Sequence, residues 1–126
     1  MPHLIVEYSN NLPEEQLAVP TLLETLCRTA VATGLFPETG LRARAYRADH
    51  QRVGAGDLQN AFVHVSMIVG KGRGAEARQS AGSALFDVFK SHLAPVIANH
   101  PVLLSFEMRE LDDVKFNYKT QCADHA

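Results

Sequence analysis

An order of elements that occurs twice is what most restricts this chain. An alternating stretch, a stretch with helical spacing and a second alternating stretch run through residues 1–48, and the same order returns in residues 61–111. In the first copy Leu4, Val6 and Tyr8 share one face of an extended segment and His3, Ile5 and Glu7 the other, which predicts a strand beginning at the terminus itself. Ser9, Asn10 and Asn11 end it. Pro20 suits an early helical position, and Leu22, Leu23, Leu26, Cys27, Ala30 and Val31 recur at helical spacing up to Gly34, a natural C-terminal stop. Residues 41–47 alternate again, with Leu41, Ala43 and Ala45 set against Arg42, Arg44 and Tyr46.

Residues 49–60 read as loop. The second copy then has a strand at 61–69, a glycine-rich turn at 70–74 and a helix from Glu76 to about Ala94. That helix carries Ala81, Leu85, Val88, Phe89, His92 and Leu93, and Pro95 ends or kinks it. A last strand occupies 102–109. The period of roughly 60 residues exceeds that of solenoid repeats, so two fused copies of one unit are expected. They form a single domain over residues 1–126, closed by a polar tail at 112–126 in which Phe116 and Tyr118 are embedded.

A strand-helix-strand crossover is right-handed and leaves its two strands parallel. Two such units paired edge to edge about a pseudo-two-fold give an α+β fold: a four-stranded mixed sheet with two helices on one face. The other face also needs cover, because Val63, Val65 and Met67 oppose Phe62 and Ile68 along the third strand. Sheets of several copies packed together supply that cover, so an oligomer is expected.

With 126 residues, 46% hydrophobic and 21% charged, the chain can bury a core without disulfides or a structural metal. Twelve Lys and Arg against 14 Asp and Glu leave a net charge of −2, short of the basic excess that a nucleic-acid or anionic-membrane surface requires. Small molecules and other protein chains remain as partners. Cys27 and Cys122 have neither metal-ligand nor redox spacing, and no signal peptide or apolar span of about 20 residues is present, so a cytoplasmic setting is expected.

The residue with the most distinctive chemistry is Pro2. Removal of Met1 leaves it a secondary amine, a group no other residue gives the chain, whereas a retained Met1 would make that nitrogen an amide. An amine is a base only when neutral, and desolvation with nearby positive charge lowers its pKa toward working pH. Topology offers two cations. Arg42 starts the second strand, at the same sheet end as Pro2, and Arg73 follows the antiparallel third strand back to that rim. Arg73 also sits where a glycine-rich turn opens onto a helix N-terminus, which favours an anion. A basic amine flanked by carboxylate binders suits proton transfer at carbon, with the guanidiniums stabilising developing oxyanion charge and no metal or organic cofactor required.

Other residues read more plainly. Arg44 and Arg47 are expected to pair with surface acids and are left out of the site. Lys71 adds positive potential or is solvated. The turn at 70–74 lacks the Gly-Lys-Ser/Thr end of a nucleotide cradle. The six histidines share no ligand spacing, so no metal site is expected, and His92 on the apolar helical stripe reads as packed and hydrogen-bonded. Cys27 reads as core and Cys122 as an exposed thiol. Phe106, Phe116 and Tyr118 are candidates either for an apolar pocket wall around a substrate or for core and interface packing.

The blocks at residues 2–7 (Pro-His-Leu-Ile-Val-Glu), 32–37 (Ala-Thr-Gly-Leu-Phe-Pro), 40–44 (Gly-Leu-Arg-Ala-Arg), 61–64 (Ala-Phe-Val-His), 72–73 (Gly-Arg) and 104–107 (Leu-Ser-Phe-Glu) occur in the order found in the 5-carboxymethyl-2-hydroxymuconate delta-isomerases of the tautomerase superfamily, and the chain resembles that family up to about Leu111. The resemblance implies a homotrimer of βαβ repeats with Pro2 as general base and Arg42 and Arg73 as substrate-binding residues. It further implies a small unsaturated di- or tricarboxylate substrate and a step in breakdown of 4-hydroxyphenylacetate through homoprotocatechuate. Competing readings are another activity of the superfamily (phenylpyruvate-type tautomerase, dehalogenase or decarboxylase) and a non-catalytic trimeric interaction protein resembling macrophage migration inhibitory factor.

Overall fold

A computed structural model describes residues 2–121. It contains strand β1 (His3–Tyr8), helices α1 (Glu14–Leu17) and α2 (Val19–Ala32), strands β2 (Arg42–Arg47) and β3 (Ala61–Val69), helices α3 (Ala75–His92) and α4 (Ala94–Asn99), and strand β4 (Val102–Glu110). The sheet order is β2-β1-β3-β4, with β1/β2 and β3/β4 parallel and β1/β3 antiparallel. This is the expected mixed sheet of two strand-helix-strand units. A short 3-10 turn, Glu38–Gly40, leads into β2.

Two short helices go beyond the expected pair. The first unit's helix is broken at Ala18, whose φ of 42° lies in the left-handed region, so α1 stops and α2 restarts with Pro20 in its first turn. That bend buries Leu17. In the second unit α3 stops at His92, and Pro95, which has no N–H to give, sits in the first turn of α4 rather than inside a continuous helix. At the end of α2, Gly34 takes φ 78° and its N–H bonds the Val31 carbonyl at 3.0 Å, the stop expected of it.

The pleat divides the side chains cleanly. Leu4, Val6, Val63, Val65, Met67 and Val69 point to the helices and are fully buried with Leu22, Leu26, Leu85 and Phe89. On the other face the registers align rows across the sheet: Arg42, His3, Ile68 and Arg109 in one, Arg44, Ile5, Ser66 and Glu107 in the next, then Tyr46, Glu7, His64 and Ser105. None of the described helices or loops packs over this face. Among the described residues no helix is long and apolar enough to cross a membrane.

Candidate active site

Pro2 lies one residue before β1, is buried, and accepts a hydrogen bond on its carbonyl from the Arg42 backbone N–H at 3.2 Å. The parallel ladder continues from that bond, which is why the starts of β1 and β2 meet at one rim. The Arg42 side chain turns onto the open face, its Nη1 3.4 Å from Nε2 of His3. Arg44, two residues along and on the same face, reaches back to the same ring, Nη1 to Nδ1 at 3.1 Å. His3 thus stands between two guanidiniums. Burial, then Arg42, then Arg44 hold its imidazole below the usual histidine pKa.

Arg73 joins this rim through the turn after β3. Continuing the β1/β3 register one step sets Val69 beside Pro2, and Gly70 follows. Arg73 donates from Nη1 to the Gly70 carbonyl and from Nε to the Leu35 carbonyl, both at 2.9 Å, and stacks 4.7 Å from the centroid of the buried Phe36 ring. These contacts aim the guanidinium and leave its Nη2 end with no protein partner among the described residues. Lys115, from the segment after β4, brings its Nζ to the same spot: it and Arg73 Nη1 each lie 3.9 Å from where a Cβ on Gly70 would stand. Lys71 instead pairs with Asp113 at 3.1 Å.

Phe106 stands elsewhere within one chain. It is opposite Val65, which is opposite Val6, so it lies two strands and four residues from Pro2, on the order of 15 Å away. There it lines an open groove of about 720 Å³ between β4 and α3, with Arg78, Gln79, Ser83, Phe86 and Met108. The Nε of Arg78 is buried there with no hydrogen-bond partner among the described residues. Phe106 and Pro2 therefore share a pocket only if one chain's β4 edge meets another chain's rim.

Several plainer expectations are settled by the geometry. Arg44 and Arg47 do not pair with acids. Arg44 turns to His3, and Arg47 donates to the Asn10 carbonyl at 3.0 Å; neither has a carboxylate within salt-bridge distance among the described residues, although Glu7 stands opposite Tyr46 on the same face. His92 is packed and hydrogen-bonded, its Nε2 2.8 Å from the Leu17 carbonyl. Cys27 is half-buried against the core and burial raises its pKa, which disfavours the thiolate. Phe116 and Tyr118 are each 93% exposed. Cys122 lies outside the described residues.

Sequence reasoning passed over His3, Arg44 and Lys115. It also missed a network on the far edge of the open face, where His64 Nδ1 is 2.6 Å from Ser105 Oγ and Glu107 lies 3.4 Å from both His64 Nε2 and Ser66 Oγ. The period-2 pattern held the signal for the first pair, since His3, Arg42 and Arg44 are all out of phase with the apolar face. Lys115 lies in a segment without periodicity.

A structure of the macrophage migration inhibitory factor from Trichinella spiralis superposes with a TM-score of 0.61 over 91% of this chain and 96% of that one, at 13% identity. The two chains share one fold. The family model for 5-carboxymethyl-2-hydroxymuconate isomerase matches residues 2–125, and a curated 5-carboxymethyl-2-hydroxymuconate Delta-isomerase from Escherichia coli is 40% identical over 111 residues, 88% of this chain and 87% of that protein. The chain belongs to the 5-carboxymethyl-2-hydroxymuconate isomerase family, a family of enzymes. A crystal structure of such an isomerase from Deinococcus radiodurans R1 superposes with a TM-score of 0.87 at 36% identity, covering 95% of this chain and 90% of that one.

Proposed function

We propose that this chain converts 5-carboxymethyl-2-hydroxymuconate from its 2-hydroxy diene form to the 2-oxo-3-ene form, with the nitrogen of Pro2, freed by removal of Met1, as the base. The amine takes the proton of the 2-hydroxyl, the electron pairs shift along the diene, and C5 receives a proton from the resulting ammonium. Atoms and charge balance within one molecule of substrate, so the protein need only bind, orient and move a proton. Arg42 and Arg73 hold carboxylates and stabilise charge on the oxygen at C2. The 2-oxo acid so formed belongs to the breakdown of homoprotocatechuate, in the cytoplasm.

The observation that carries this reading is that two arginines reach the rim where Pro2 stands and neither is paired with an acid there. Arg42 is tied to Pro2 through the backbone, Arg73 is aimed by two carbonyls beside it, and neither has a carboxylate within salt-bridge distance among the described residues. Positive charge without counterions lowers the pKa of a neighbouring amine and attracts an anionic substrate. We further propose a homotrimer, in which the half-buried Phe62 and Ile68 on the open face gain cover and the β4 edge of one copy brings Phe106 to the rim of another.

The test follows the ultraviolet absorbance of the dienol on mixing with natively matured protein, whose N-terminus is read by mass spectrometry. Turnover by protein starting at Pro2, reduced about 10²- to 10⁴-fold in Pro2→Ala, is the expected result. Full activity in a sample that retains Met1 would overturn the assignment of the base.

A further inference from the structure

The reaction proposed above accounts for Arg42 and Arg73, but its substrate carries three carboxylates, and the open face holds a further guanidinium, that of Arg44, with no carboxylate within salt-bridge distance among the described residues. Resting on that reading, we infer that Arg44 grips the carboxylate arm remote from the reacting enol and so sets the preference for a triacid over simpler enol acids.

The argument starts from what Arg44 touches. Its side chain is half-buried, and its one polar contact among the described residues is His3 Nδ1 at 3.1 Å. Arg42 approaches the other nitrogen of the same ring at 3.4 Å. A guanidinium only donates, and a neutral imidazole has one nitrogen that accepts and one that donates. At most one of the two contacts is therefore a hydrogen bond, and the other sets donor against donor. The lowered pKa of His3 keeps it from adding a third cation at neutrality, so the ring acts as a spacer. Neither guanidinium reaches a carbonyl or carboxylate among the described residues, whereas Arg28 pairs with Glu24 and Arg109 lies 4.0 Å from Glu107.

Like charges held side by side, here an exposed Arg42 and a half-buried Arg44, oppose each other when no acid pairs them and become favourable when an anion binds. Arg42 and Arg44 stand two residues apart on one strand, roughly 6.5 Å between Cα atoms, which matches two carboxylates joined by a short carbon chain. A substrate held at its reacting end by Arg42 and Arg73 therefore extends its remaining acid along β2 toward Arg44.

The experiment compares Arg44→Gln and Arg44→Lys with the unaltered enzyme on two substrates, the dienol triacid and a 2-hydroxy-2-enoic acid with a single carboxylate. The triacid-to-monoacid ratio of kcat/KM is expected to drop about tenfold in Arg44→Gln, through KM, with partial recovery in Arg44→Lys. Calorimetric binding of propane-1,2,3-tricarboxylate, independent of turnover, should weaken about tenfold in parallel. An unchanged ratio, or equal losses on both substrates, would overturn the assignment. So would an altered sedimentation coefficient in Arg44→Gln, which would mark Arg44 as the ion-pair partner of an acid on a second copy. An unaltered enzyme that turns over neither substrate yet binds the tricarboxylate through Arg44 would sink the isomerase reading and leave the grip standing.

Discussion

The two outer strands hold equivalent places in the two halves of the fold, each parallel to the inner strand of its own unit, yet they treat charge in opposite ways. On the open face β4 presents Ser105, Glu107 and Arg109, and these satisfy one another and the adjacent His64 and Ser66. On the same face β2 presents Arg42 and Arg44, whose side chains meet a shared imidazole and no acid among the described residues. The first row makes the contrast sharpest, because it runs from Arg42 through His3 and Ile68 to Arg109, an arginine at each edge. One has a carboxylate at 4.0 Å and the other has none among the described residues. Polar side chains that satisfy each other are complete within the protein, and cations left without acids are the ones positioned for something that arrives from outside.

The largest effect expected from this difference is in catalysis. Arg42→Ala should lower kcat/KM for the dienol triacid roughly 10²-fold, chiefly in kcat, whereas Arg73→Ala should act mainly on KM. Arg109→Ala, at the opposite end of the row, should stay within about twofold of the parent. Steady-state kinetics on the three variants decides it. Similar losses for Arg42 and Arg109 would mean that the edges are not functionally distinct, and equal changes in both constants for Arg42 and Arg73 would erase the division of labour between them.

A smaller effect belongs to stability. Glu107→Gln removes the acid that His64, Ser66 and Arg109 share, and because the carboxylate is half exposed the cost should be about 1 kcal/mol or less, a Tm shift of a few degrees at most. Turnover should be little altered, since Glu107 lies on the face of β4 opposite to Phe106 and is engaged by His64, Ser66 and Arg109. A large loss of activity without loss of stability would move the chemistry toward β4 and make the His64 network part of a site.

The sequence was most informative where periodicity and topology act together. The doubled strand-helix-strand order, with right-handed crossovers, implied two parallel strand pairs joined in one mixed sheet, and the alternation of Leu4, Val6 and Tyr8 already marked the buried face. The break at Ala18 was not legible, because nothing in an alanine announces a φ of 42°. The rim was legible for Arg42 and Arg73, whose positions follow from strand ends. Arg44 was misjudged for a physical reason: whether an acid lies opposite a strand arginine depends on register, and here its row runs through Ile5 and Ser66 to Glu107, while Glu7 falls one row along, opposite Tyr46. Phe106 was read as either a pocket wall or a packing residue; its strand phase points it into the groove against α3, so any tie to Pro2 runs between copies.

The smallest expected effect tests the cationic edge with no substrate present. Burial and the two arginines depress the pKa of His3 in the folded chain, whereas in the unfolded chain it titrates near 6.5. The unfolded state therefore binds more protons as pH falls through that value, so stability decreases below about pH 6.5 and the decrease is complete once pH lies below the folded pKa. His3 is largely solvated, which keeps the effect small: on lowering pH from 7.5 to 5, the Tm of the parent should fall about 1 to 2 °C further than that of His3→Gln. Arg44→Gln should recover part of this difference, because one of the two guanidiniums that oppose protonation is gone. Thermal melts of the three proteins at both pH values make the comparison. Identical pH slopes in all three would mean that β2 exerts no field on its neighbour, and the contrast between a charged edge awaiting an anion and a self-satisfied one would lose its electrostatic basis.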